Sequence, residues 1–458
     1  MPGPFTVLIM AAGRGTRMRS KLPKVLHPVC GKPMVEWVID AARQAGAGQV
    51  ICITRPGDGV AEGLPKSVTV AEQREGEGTG AAVLAARDAA PAEGTALVLS
   101  GDHPLLSAEL IGRLVDTHDR ERAAATLLTT EELDPAGYGR IMRASDGSVE
   151  RIVETKHTEG LSPEELATRE VNLGSYAFEA SDLWSALDEV GEERDEIYLT
   201  GVFPILRDRG RRVVSHVTTD VSSAMGVNTR ADLMEVDRLA VRRILDGHAR
   251  EGVTFLGPDS TRIDAGVIIG ADTTVGPGVT LRGSTAIGAG CEIGPQTTIT
   301  DSTLGDGARA VHSFLTGTTV EAGASVGPFA YLRPGAHIGE GARIGTFVEV
   351  KNSNIGPGAK VPHLSYLGDA DVGAKSNVGA GNITANYDGR RKHRTSIGDG
   401  VKTGVHTSFI APVTVGEGAY TGAGSVIGED VPDGALGVSR SKQVNVEGYA
   451  ERKEKPPG

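Results

Sequence analysis

The chain has 458 residues, with 63 glycines, 3 cysteines and a formal net charge of −12 at pH 7. Its length is sufficient for two or three domains with buried cores. The negative charge disfavours nucleic acid or an acidic membrane surface as a partner of the whole chain, so any site for a phosphorylated substrate must be locally basic.

The cysteines and the apolar segments indicate the compartment. Cys30, Cys52 and Cys291 form no C-x-x-C pair and are too sparse for a secreted disulfide framework, which suggests a reducing compartment. The first apolar run, residues 5–12, is too short to span a membrane and lacks the layout of a signal peptide, and no other segment approaches that length. We therefore expect a cytoplasmic protein without a membrane span.

Strands and helices alternate in the first part of the chain. The predicted strands cover residues 5–10, 50–54 and 96–100, and the predicted helices cover residues 80–90 and 108–121. This alternation predicts a doubly wound α/β domain with a mostly parallel sheet. Ligands of such folds bind beyond the carboxyl ends of the strands, where the turn at Gly13 and the turn Ser100-Gly101-Asp102 both fall.

The Gly13 turn, residues 11–18, is rich in glycine and precedes a lysine. Backbone N–H groups of such a turn can approach phosphate oxygens, but the pattern matches neither the dinucleotide motif nor the P-loop, and a tight structural turn explains it equally well. Arg17 and Lys24 add two cations that favour an anionic ligand. Asp102 is then a candidate magnesium ligand, although an Asp at a strand end is as often only a turn residue.

A capping box, Thr229-x-x-Asp232, predicts the start of a helix that extends to about residue 249. No new α/β pattern follows it, and six-residue repeats begin near Ile263. We therefore predict a first domain at residues 1–228, a connecting helix at 229–251 and a second domain at 252–458.

The second half has an apolar or small residue at every sixth position. Two such series are Val320, Val326, Leu332, Ile338, Ile344 and Val350, and then Ile397, Thr403, Phe409, Val415, Thr421 and Ile427. This spacing fits neither a helix nor an isolated strand and predicts an all-β parallel β-helix of hexapeptide repeats. The alternative, a disordered glycine-rich linker, would lack regularly spaced Ile and Val.

Some segments depart from the repeat: Lys351-Asn352, residues 361–369 around His363, and an insertion at 385–395. A β-helix that only separates or oligomerises domains has no reason to depart there. By spacing alone, however, one histidine in a solenoid turn is more often structural than catalytic.

The motifs together resemble a known family. Residues 8–24, with Gly-x-Gly-Thr-Arg-Met followed by Pro-Lys, resemble the sugar-1-phosphate nucleotidylyltransferases. His-Leu-x-Tyr-Leu-Gly-Asp at 363–369 and Asn-Tyr-Asp-Gly at 386–389 extend the similarity to nearly the whole chain. The chain therefore resembles the bacterial bifunctional N-acetylglucosamine-1-phosphate uridylyltransferases / glucosamine-1-phosphate N-acetyltransferases. The resemblance implies a left-handed β-helix and a homotrimer packed through it, with acetyl-transfer sites between subunits.

The resemblance also implies the residues of a UTP and magnesium site in the first domain. They are Met10, Ala11, Ala12, Gly13, Arg17 and Lys24 around the phosphates; Gln73, Gly78 and Thr79 at the uracil; Ser100, Gly101 and Asp102 at the nucleotide and metal; Gly139, Glu154 and Asn172 at the amino sugar; and Asn228, which joins Asp102 on Mg²⁺. Without the resemblance, Glu154, Asn172 and Asn228 would be interpreted as surface polar residues or caps.

For the second domain, the resemblance implies an acetyl-transfer site. His363 is the implied general base for the glucosamine amine, which attacks the thioester of acetyl-CoA, and a histidine suits this role because its usual pKa lies near working pH. The other residues are Arg333, Lys351, Tyr366, Asn377, Asn386 and Lys392 for glucosamine-1-phosphate, and Ala380, Asn386, Tyr387, Val405, Ala423 and Arg440 for acetyl-CoA.

The chain departs from the family pattern at four positions. Ala81 stands where the family usually has His, Leu173 where a small residue is usual, and Gly201 where Asp is usual. Val405 replaces a small polar residue at the coenzyme contact, so a side-chain hydrogen bond there is lost. These departures bear on substrate preference more than on reaction class.

The implied function is a two-site enzyme that acetylates glucosamine-1-phosphate and then converts N-acetylglucosamine-1-phosphate and UTP to UDP-N-acetylglucosamine, a cell-wall precursor. One alternative is a single-activity nucleotidylyltransferase whose β-helix only oligomerises or regulates, against which the motifs around His363 and Asn386 argue. Another is a non-catalytic scaffold, which would be expected to lose Lys24 or Asp102.

Overall fold

The structure is a computed structural model that describes residues 4–153, 162–192 and 196–454. The chain divides into two compact units, Met1–Val241 and Arg242–Gly458. Helix Arg230–Arg250 begins in the first unit and ends in the second, so the division falls inside the helix that we predicted as a connector. The domain limits of the sequence analysis stay a prediction.

In the first unit, the sheet has nine strands among the described residues. They are β1 Phe5–Met10, β2 Ala47–Thr54, β3 Thr69–Glu72, β4 Thr95–Ser100, β5 Ala125–Thr130, β6 Arg140–Arg143, β7 Val149–Val153, β8 Val171–Glu179 and β9 Val213–Val217. The main order is β9-β5-β8-β4-β1-β2-β3, with β6 between β8 and β7. Strands β4, β1, β2 and β3 are mutually parallel, whereas β8 runs antiparallel to both neighbours. The predicted, mostly parallel α/β sheet is confirmed.

Helices cover both faces of this sheet and enclose two apolar cores. The helices that contribute to these cores are α1 Met34–Gln44, α2 Thr79–Leu84, α3 Ala108–Glu121, α5 Ala180–Leu187 and α6 Val202–Asp208. Two more helices, α4 Pro163–Ala167 and α7 Arg230–Arg250, lie outside them. Ser107 caps α3, since its Oγ accepts a hydrogen bond from Leu110 N (3.2 Å). The helix predicted at 80–90 ends earlier, at Leu84, and a 3₁₀ turn follows at Arg87–Ala89, where the Arg87 guanidinium binds the Asp188 carboxylate.

The second unit winds its strands into three parallel sheets, which form the faces of a left-handed parallel β-helix. Face 1 contains Thr254–Phe255, Thr274–Val275, Glu292–Ile293, Arg309–Ala310, Ser325–Val326, Arg343–Thr346 and Lys360–His363. Face 2 contains Arg262–Ile263, Thr280–Arg282, Thr298–Thr300, Phe314–Thr316, Tyr331–Leu332, Glu349–Lys351, Tyr366–Gly368, Ile383–Ala385, Ser408–Ile410 and Val426–Ile427. Face 3 contains Ile268–Ile269, Ala286–Ile287, Thr303–Leu304, Thr319–Val320, His337–Ile338, Asn354–Ile355, Ala370–Val372, Thr395–Ile397 and Val413–Val415.

The hexapeptide series supplies the core of this β-helix. Val320, Val326, Leu332, Ile338 and their successors are all buried, one residue on each face of each coil. A last strand pair, Tyr420–Thr421 with Leu436–Gly437, is followed by a tail and a short helix, α8 Tyr449–Glu454. Within the described residues we find no helix with the length and apolarity required to cross a membrane.

Candidate active sites

The first site is a cavity of about 270 Å³ at the carboxyl edge of the α/β sheet. Its lining includes Met10, Ala12, Gly13, Lys24, Gln73, Gly78, Thr79, Ser100 and Asp102, all predicted from the sequence. Ala11 and Gly101 hold the edge together, because Ala11 N donates to Ile53 O and Gly101 N donates to Met10 O, both at 2.9 Å. The parallel strands therefore bring segments far apart in the chain to one place.

Two side-chain oxygens from distant segments converge on one cation in this cavity. Lys24 Nζ contacts Asp102 Oδ2 and donates to Asn228 Oδ1 at 3.3 Å. Arg17 also donates to Asn228 Oδ1, at 2.8 Å. Gly15 permits this arrangement, since its φ is +57° and a Cβ there would lie 2.7 Å from Lys24 Cβ. The predicted pair Asp102 and Asn228 is thus assembled.

Asp102 is a buried carboxylate that stays ionised. Burial alone raises its pKa, but contact with His103 and the Lys24 ammonium outweigh burial and hold the pKa well below its usual range. Oδ1 also accepts a hydrogen bond from Ser100 Oγ (2.7 Å) and lies 2.9 Å from His103 Nδ1. A permanently charged oxygen pair at the end of a strand suits a hard cation or a cationic side chain.

The far wall of the cavity is the Gly78 turn, residues 73–79. Gln73 is buried, and its Nε2 donates to Gly76 O at 3.0 Å. Gly78 has φ +97°, and a Cβ there would lie 2.4 Å from Ile197 O, so only glycine fits. Ala81 packs beneath this turn, because a Cβ on Gly76 would lie 2.9 Å from Ala81 Cβ.

Two residues assigned to the amino sugar, Gly139 and Asn172, lie outside the lining of that cavity. Asn172 N donates to Gly139 O at 2.9 Å, and Asn172 Nδ2 donates to Tyr176 Oη at 2.7 Å, so the structure brings Gly139 and Asn172 together. Glu154 lies outside the described residues. Leu173 is buried, and Gly201 packs against Val190, where a Cβ would approach within 2.8 Å.

The second site is a basic cluster at the corner between faces 2 and 3. We define the basic cluster as Arg333, Lys351, Asp369, Asn386 and Lys392. The Asp369 carboxylate lies at its centre, accepting hydrogen bonds from Asn352 Nδ2 and Asn386 Nδ2, both at 2.5 Å, with Lys351 Nζ at 3.7 Å. Burial raises the pKa of Asp369, but these hydrogen bonds and cations together hold it below its usual range.

Two lysines of the basic cluster lie side by side. Contact with Lys351 lowers the pKa of Lys392, because two adjacent ammonium groups repel each other. The Arg333 charge acts on both lysines, although its guanidinium also donates to Glu349 Oε1 at 2.8 Å. Cations held close together without a matching number of carboxylates favour an anionic ligand.

Tyr366 lies beside this cluster on face 2. A Cβ on Gly368 would lie 2.3 Å from Tyr366 Oη and 2.8 Å from Asn386 Nδ2, so Gly368 leaves room for both groups. The exposed Tyr387 follows Asn386 in the insertion. Four predicted sugar-phosphate residues (Arg333, Lys351, Asn386 and Lys392) therefore meet in the cluster itself, with Tyr366 next to them.

His363 lies at the other end of face 2, on the corner between faces 1 and 2. Backbone pairing places His363, Ala380, Val405 and Ala423 at equivalent positions of successive coils, because Gly381 N donates to His363 O, His406 N to Ala380 O and Gly424 N to Val405 O. We call these four residues the His363 ridge. Arg440 joins it through a 2.8 Å hydrogen bond from its guanidinium to Ala423 O. The predicted base thus shares one ridge with four of the six predicted coenzyme contacts, whereas Asn386 and Tyr387 lie at the basic cluster.

The imidazole of His363 is exposed and makes no side-chain hydrogen bond within the described residues. Asn377 is also exposed but lies on face 1, between Lys360 and Lys402. No hydrogen bond or ion pair joins Asn377 to the basic cluster within the part of the chain that the structure describes. The structure therefore does not bring Asn377 to the other sugar residues.

Several residues at these sites were not predicted from the sequence. Arg14, Arg55 and Glu77 line the first cavity, and Asp369 organises the second site. Arg55 directly follows the strand β2, which is the one signal that could have indicated it. Asp369 ends the His363 motif but had been given no role. Across the described residues, no group of three or more His, Cys, Asp or Glu side chains is arranged to hold a metal ion.

Comparison with known proteins matches both units. A family model described as "MobA-like NTP transferase domain" matches residues 7–162, and one described as "Bacterial transferase hexapeptide (six repeats)" matches residues 262–308 and 317–352. Proteins called "Bifunctional protein GlmU" are similar over nearly their whole length. The one from Brevibacillus brevis is 47% identical, covering 97% of each chain, and the one from Mycobacterium tuberculosis is 46% identical, covering 99% of this chain and 93% of the relative.

Proposed function

The chain belongs to the GlmU family of bifunctional proteins, and we infer that each of its two units carries one transferase activity. The second unit acetylates glucosamine-1-phosphate with acetyl-CoA, and the first unit transfers UMP from UTP to N-acetylglucosamine-1-phosphate and releases pyrophosphate. The observation that carries this proposal is the match to bifunctional relatives along the whole chain, with a site of fitting chemistry in each unit. A single-activity transferase would not need the His363 ridge and the basic cluster.

Uridylyl transfer needs positioning more than covalent catalysis. A phosphate oxygen of the sugar attacks the α-phosphorus of UTP, and the bond from that phosphorus to the bridging oxygen of pyrophosphate breaks. Lys24 and the backbone N–H groups of the Gly13 turn are placed at the cavity to stabilise the developing negative charge. Gln73, Gly78 and Thr79 line the opposite wall, where the uracil would lie.

Magnesium fits the donor set at Asp102 and Asn228. Their oxygens already share one cation, the Lys24 ammonium, so the two groups are close enough to share another. Mg²⁺ is commonly held by one or two carboxylates together with substrate phosphates and water, so a third acidic ligand is not required. Bound there, Mg²⁺ would supply a Lewis acid that polarises phosphate oxygens. Lys24 would then turn its ammonium to the nucleotide.

Acetyl transfer would use both ends of face 2. The strand Tyr366–Gly368 has three residues, at about 3.3 Å each, so roughly 10 Å separates the His363 ridge from the basic cluster. A single sugar ring that carries a phosphate is of this length. We therefore place the phosphate at Lys351 and Lys392, the ring over Tyr366 and the amine at His363, which takes the proton as nitrogen attacks the thioester carbonyl and coenzyme A leaves as the thiol.

We also propose a cytoplasmic homotrimer packed through the β-helix. Phe329, Phe347 and Leu364 occupy one corner on successive coils and are 55%, 59% and 59% exposed. The rings of Phe329 and Phe347 stack, with centroids 5.5 Å apart and planes 14° apart. Exposed apolar patches of this kind mark protein contacts, and a second copy of the chain is the occupant that hexapeptide repeats favour. The product would supply cell-wall polymers such as peptidoglycan.

Incubation of the full-length protein with glucosamine-1-phosphate, acetyl-CoA, UTP and Mg²⁺ tests the proposal. We expect UDP-N-acetylglucosamine from the complete mixture, N-acetylglucosamine-1-phosphate when UTP is omitted, and no nucleotide sugar when Mg²⁺ is chelated. If the protein uses N-acetylglucosamine-1-phosphate with UTP but never acetylates glucosamine-1-phosphate, the single-activity alternative is correct.

A truncation should separate the two activities. Residues 1–250 retain the whole of α7, whose Val236 and Ala240 are buried and whose Asp237 accepts a hydrogen bond from Cys30 N (3.0 Å). We expect this fragment to be a monomer with uridylyl transfer within a few-fold of the full chain, measured by sedimentation and pyrophosphate release. Residues 1–229 should unfold more easily because they lack these contacts. A trimeric 1–250 fragment would contradict the proposed role of the β-helix.

Lys392→Met should weaken binding of glucosamine-1-phosphate. The phosphate of this substrate would lose one cation of the basic cluster. We therefore expect the KM for glucosamine-1-phosphate to rise about tenfold, which corresponds to the free energy of one charge-assisted hydrogen bond. Uridylyl transfer should not change. Lys375→Met is the matched control, since Lys375 is an exposed lysine of the same β-helix outside the cluster. Equal KM values in the two variants would remove Lys392 from the site.

A further inference from the structure

Three charged side chains at the nucleotide cavity form a cluster of their own. Arg14 donates to Glu77 Oε1 at 2.7 Å, and Arg55 donates to Glu77 Oε2 at 2.5 Å. All three residues line the cavity, and none of them has a role in the transfer derived above. We call them the mouth cluster.

Arg55 connects the two turns that form opposite walls of the cavity. Its Nε donates to Ala12 O in the Gly13 turn at 2.7 Å, while its terminal nitrogen binds Glu77 in the Gly78 turn. The side chain is only 25% exposed, although it carries a charge. A planar guanidinium can make both contacts in one fixed geometry, whereas a lysine ammonium on a flexible stem cannot.

Glu77 is held in place from the opposite side by the main chain. Its carbonyl accepts a hydrogen bond from Ile197 N at 2.9 Å, and the next residue, Gly78, has no room for a side chain against Ile197. The hydrogen bond from Arg55, with a further contribution from Arg14, lowers the pKa of Glu77, so the carboxylate is charged at working pH. Arg55 therefore binds a carboxylate whose main chain is held in place.

A carboxylate is an unfavourable group to place beside a triphosphate unless it serves another purpose. Here it holds two arginines, and the mouth cluster keeps a net positive charge. In the proposed transfer the Gly13 turn faces the phosphates and the Gly78 turn faces the uracil, so the distance between the turns would set how well one nucleotide reaches both. The link through Arg55 fixes that distance before the nucleotide arrives.

We propose that Arg55 is a positioning residue for UTP, which joins the Gly13 turn to the Gly78 turn through Ala12 O and Glu77. The proposal rests on uridylyl transfer as the function of the first unit. Arg55 acts on nucleotide binding and leaves the chemical step to Lys24 and Asp102. We therefore expect the loss of Arg55 to raise the KM for UTP and to leave kcat near its wild-type value.

The test is steady-state kinetics of uridylyl transfer by the full chain. For Arg55→Ala we expect the KM for UTP to rise about tenfold, with kcat and the KM for the sugar phosphate within threefold of wild type. Arg55→Lys keeps the charge but cannot make both contacts, so its KM should stay at least threefold above wild type. Arg238→Ala is the matched control, because it removes an exposed arginine and its ion pair with Glu235, away from the cavity.

A double variant distinguishes positioning from charge balance. If Arg55 only neutralises Glu77, then Arg55→Ala with Glu77→Ala should recover the wild-type KM, and this would overturn the proposal. If Arg55 positions the turns, the KM for UTP of the double variant should equal that of Arg55→Ala, since either substitution breaks the same link. A KM for Arg55→Ala within twofold of wild type, or a fall in kcat alone, would overturn it as well.

Thermal unfolding of the same preparations, compared with the wild type, reports whether the first unit of each variant folds, since acetyl transfer depends on the second unit. If the wild-type protein proved inactive with UTP, the proposed function would fall, and calorimetric titration with UTP would then decide on Arg55 separately. Equal dissociation constants for the wild type and Arg55→Ala would overturn the positioning role, and a weaker constant for Arg55→Ala would support it.

Discussion

Asp102→Ala should lower the rate of magnesium-dependent uridylyl transfer by about a hundredfold to a thousandfold. Losses of this size are observed when an enzyme loses one preorganised group that stabilises the transition state. The variant loses the carboxylate that shares a cation with Asn228. It also releases Lys24, whose ammonium contacts that carboxylate. Acetyl transfer should remain near the wild-type rate, because its residues lie in the β-helix. Both half-reactions are measured on one preparation.

Two further variants test whether this loss of activity reflects the missing metal ligand or damage to the fold. Asp102 is buried, so its removal could disturb the edge of the sheet, and Asp102→Asn keeps its shape while it removes the charge. Asn228→Ala removes the amide oxygen and should cause a smaller loss that high Mg²⁺ partly restores. Full synthesis of the nucleotide sugar by Asp102→Ala at ordinary Mg²⁺ would disprove the assignment of Asp102 to the metal.

The sequence predicted the fold well because both patterns are local. One apolar residue in every six defines a β-helix without reference to anything distant. The members of the series are buried as expected: Val320, Val326, Leu332, Ile338, Ile344 and Val350. Alternating strands and helices likewise predict a parallel sheet with ligands at one edge. The predicted end of α2 at residue 90 was wrong, since an alanine-rich stretch before Pro91 does not specify where a helix gives way to a 3₁₀ turn.

The sites were predictable only where a motif named the residue. Asp102 and Asn228 meet although 126 positions separate them, and no spacing rule indicates that. Arg55 and Glu77 were missed because an ion pair between two turns leaves no periodic signal. Asn377 lies on face 1, whereas Lys351 and Lys392 lie at the corner of faces 2 and 3, so its assignment to the sugar stays a prediction.

His363→Ala should lower acetyl transfer from acetyl-CoA by about a hundredfold to ten-thousandfold, the usual contribution of a general base. His363 lies on the ridge that carries Ala380 and Val405, and within the described residues its imidazole is exposed and makes no side-chain hydrogen bond. The acetyl group must come from acetyl-CoA in the assay, and the released thiol is measured directly. Uridylyl transfer with pre-acetylated sugar phosphate should survive, because Lys24 and Asp102 belong to the other unit.

The oligomer should also survive the substitution, because it leaves the proposed contact residues Phe329, Phe347 and Leu364 unchanged and His363 is not part of the buried core. His406→Ala is the matched control: His406 also lies in a turn of this corner, one residue beyond Val405 and therefore off the ridge position. Acetylation that persists within a few-fold of wild type would show that His363 is not the base. A parallel loss of both activities would indicate damage to the fold, and His363→Gln, which preserves the size and polarity of the side chain, would then decide. If His363→Gln folds and keeps its uridylyl transfer while acetylation falls by a hundredfold or more, the proton acceptor on this ridge is the imidazole of His363.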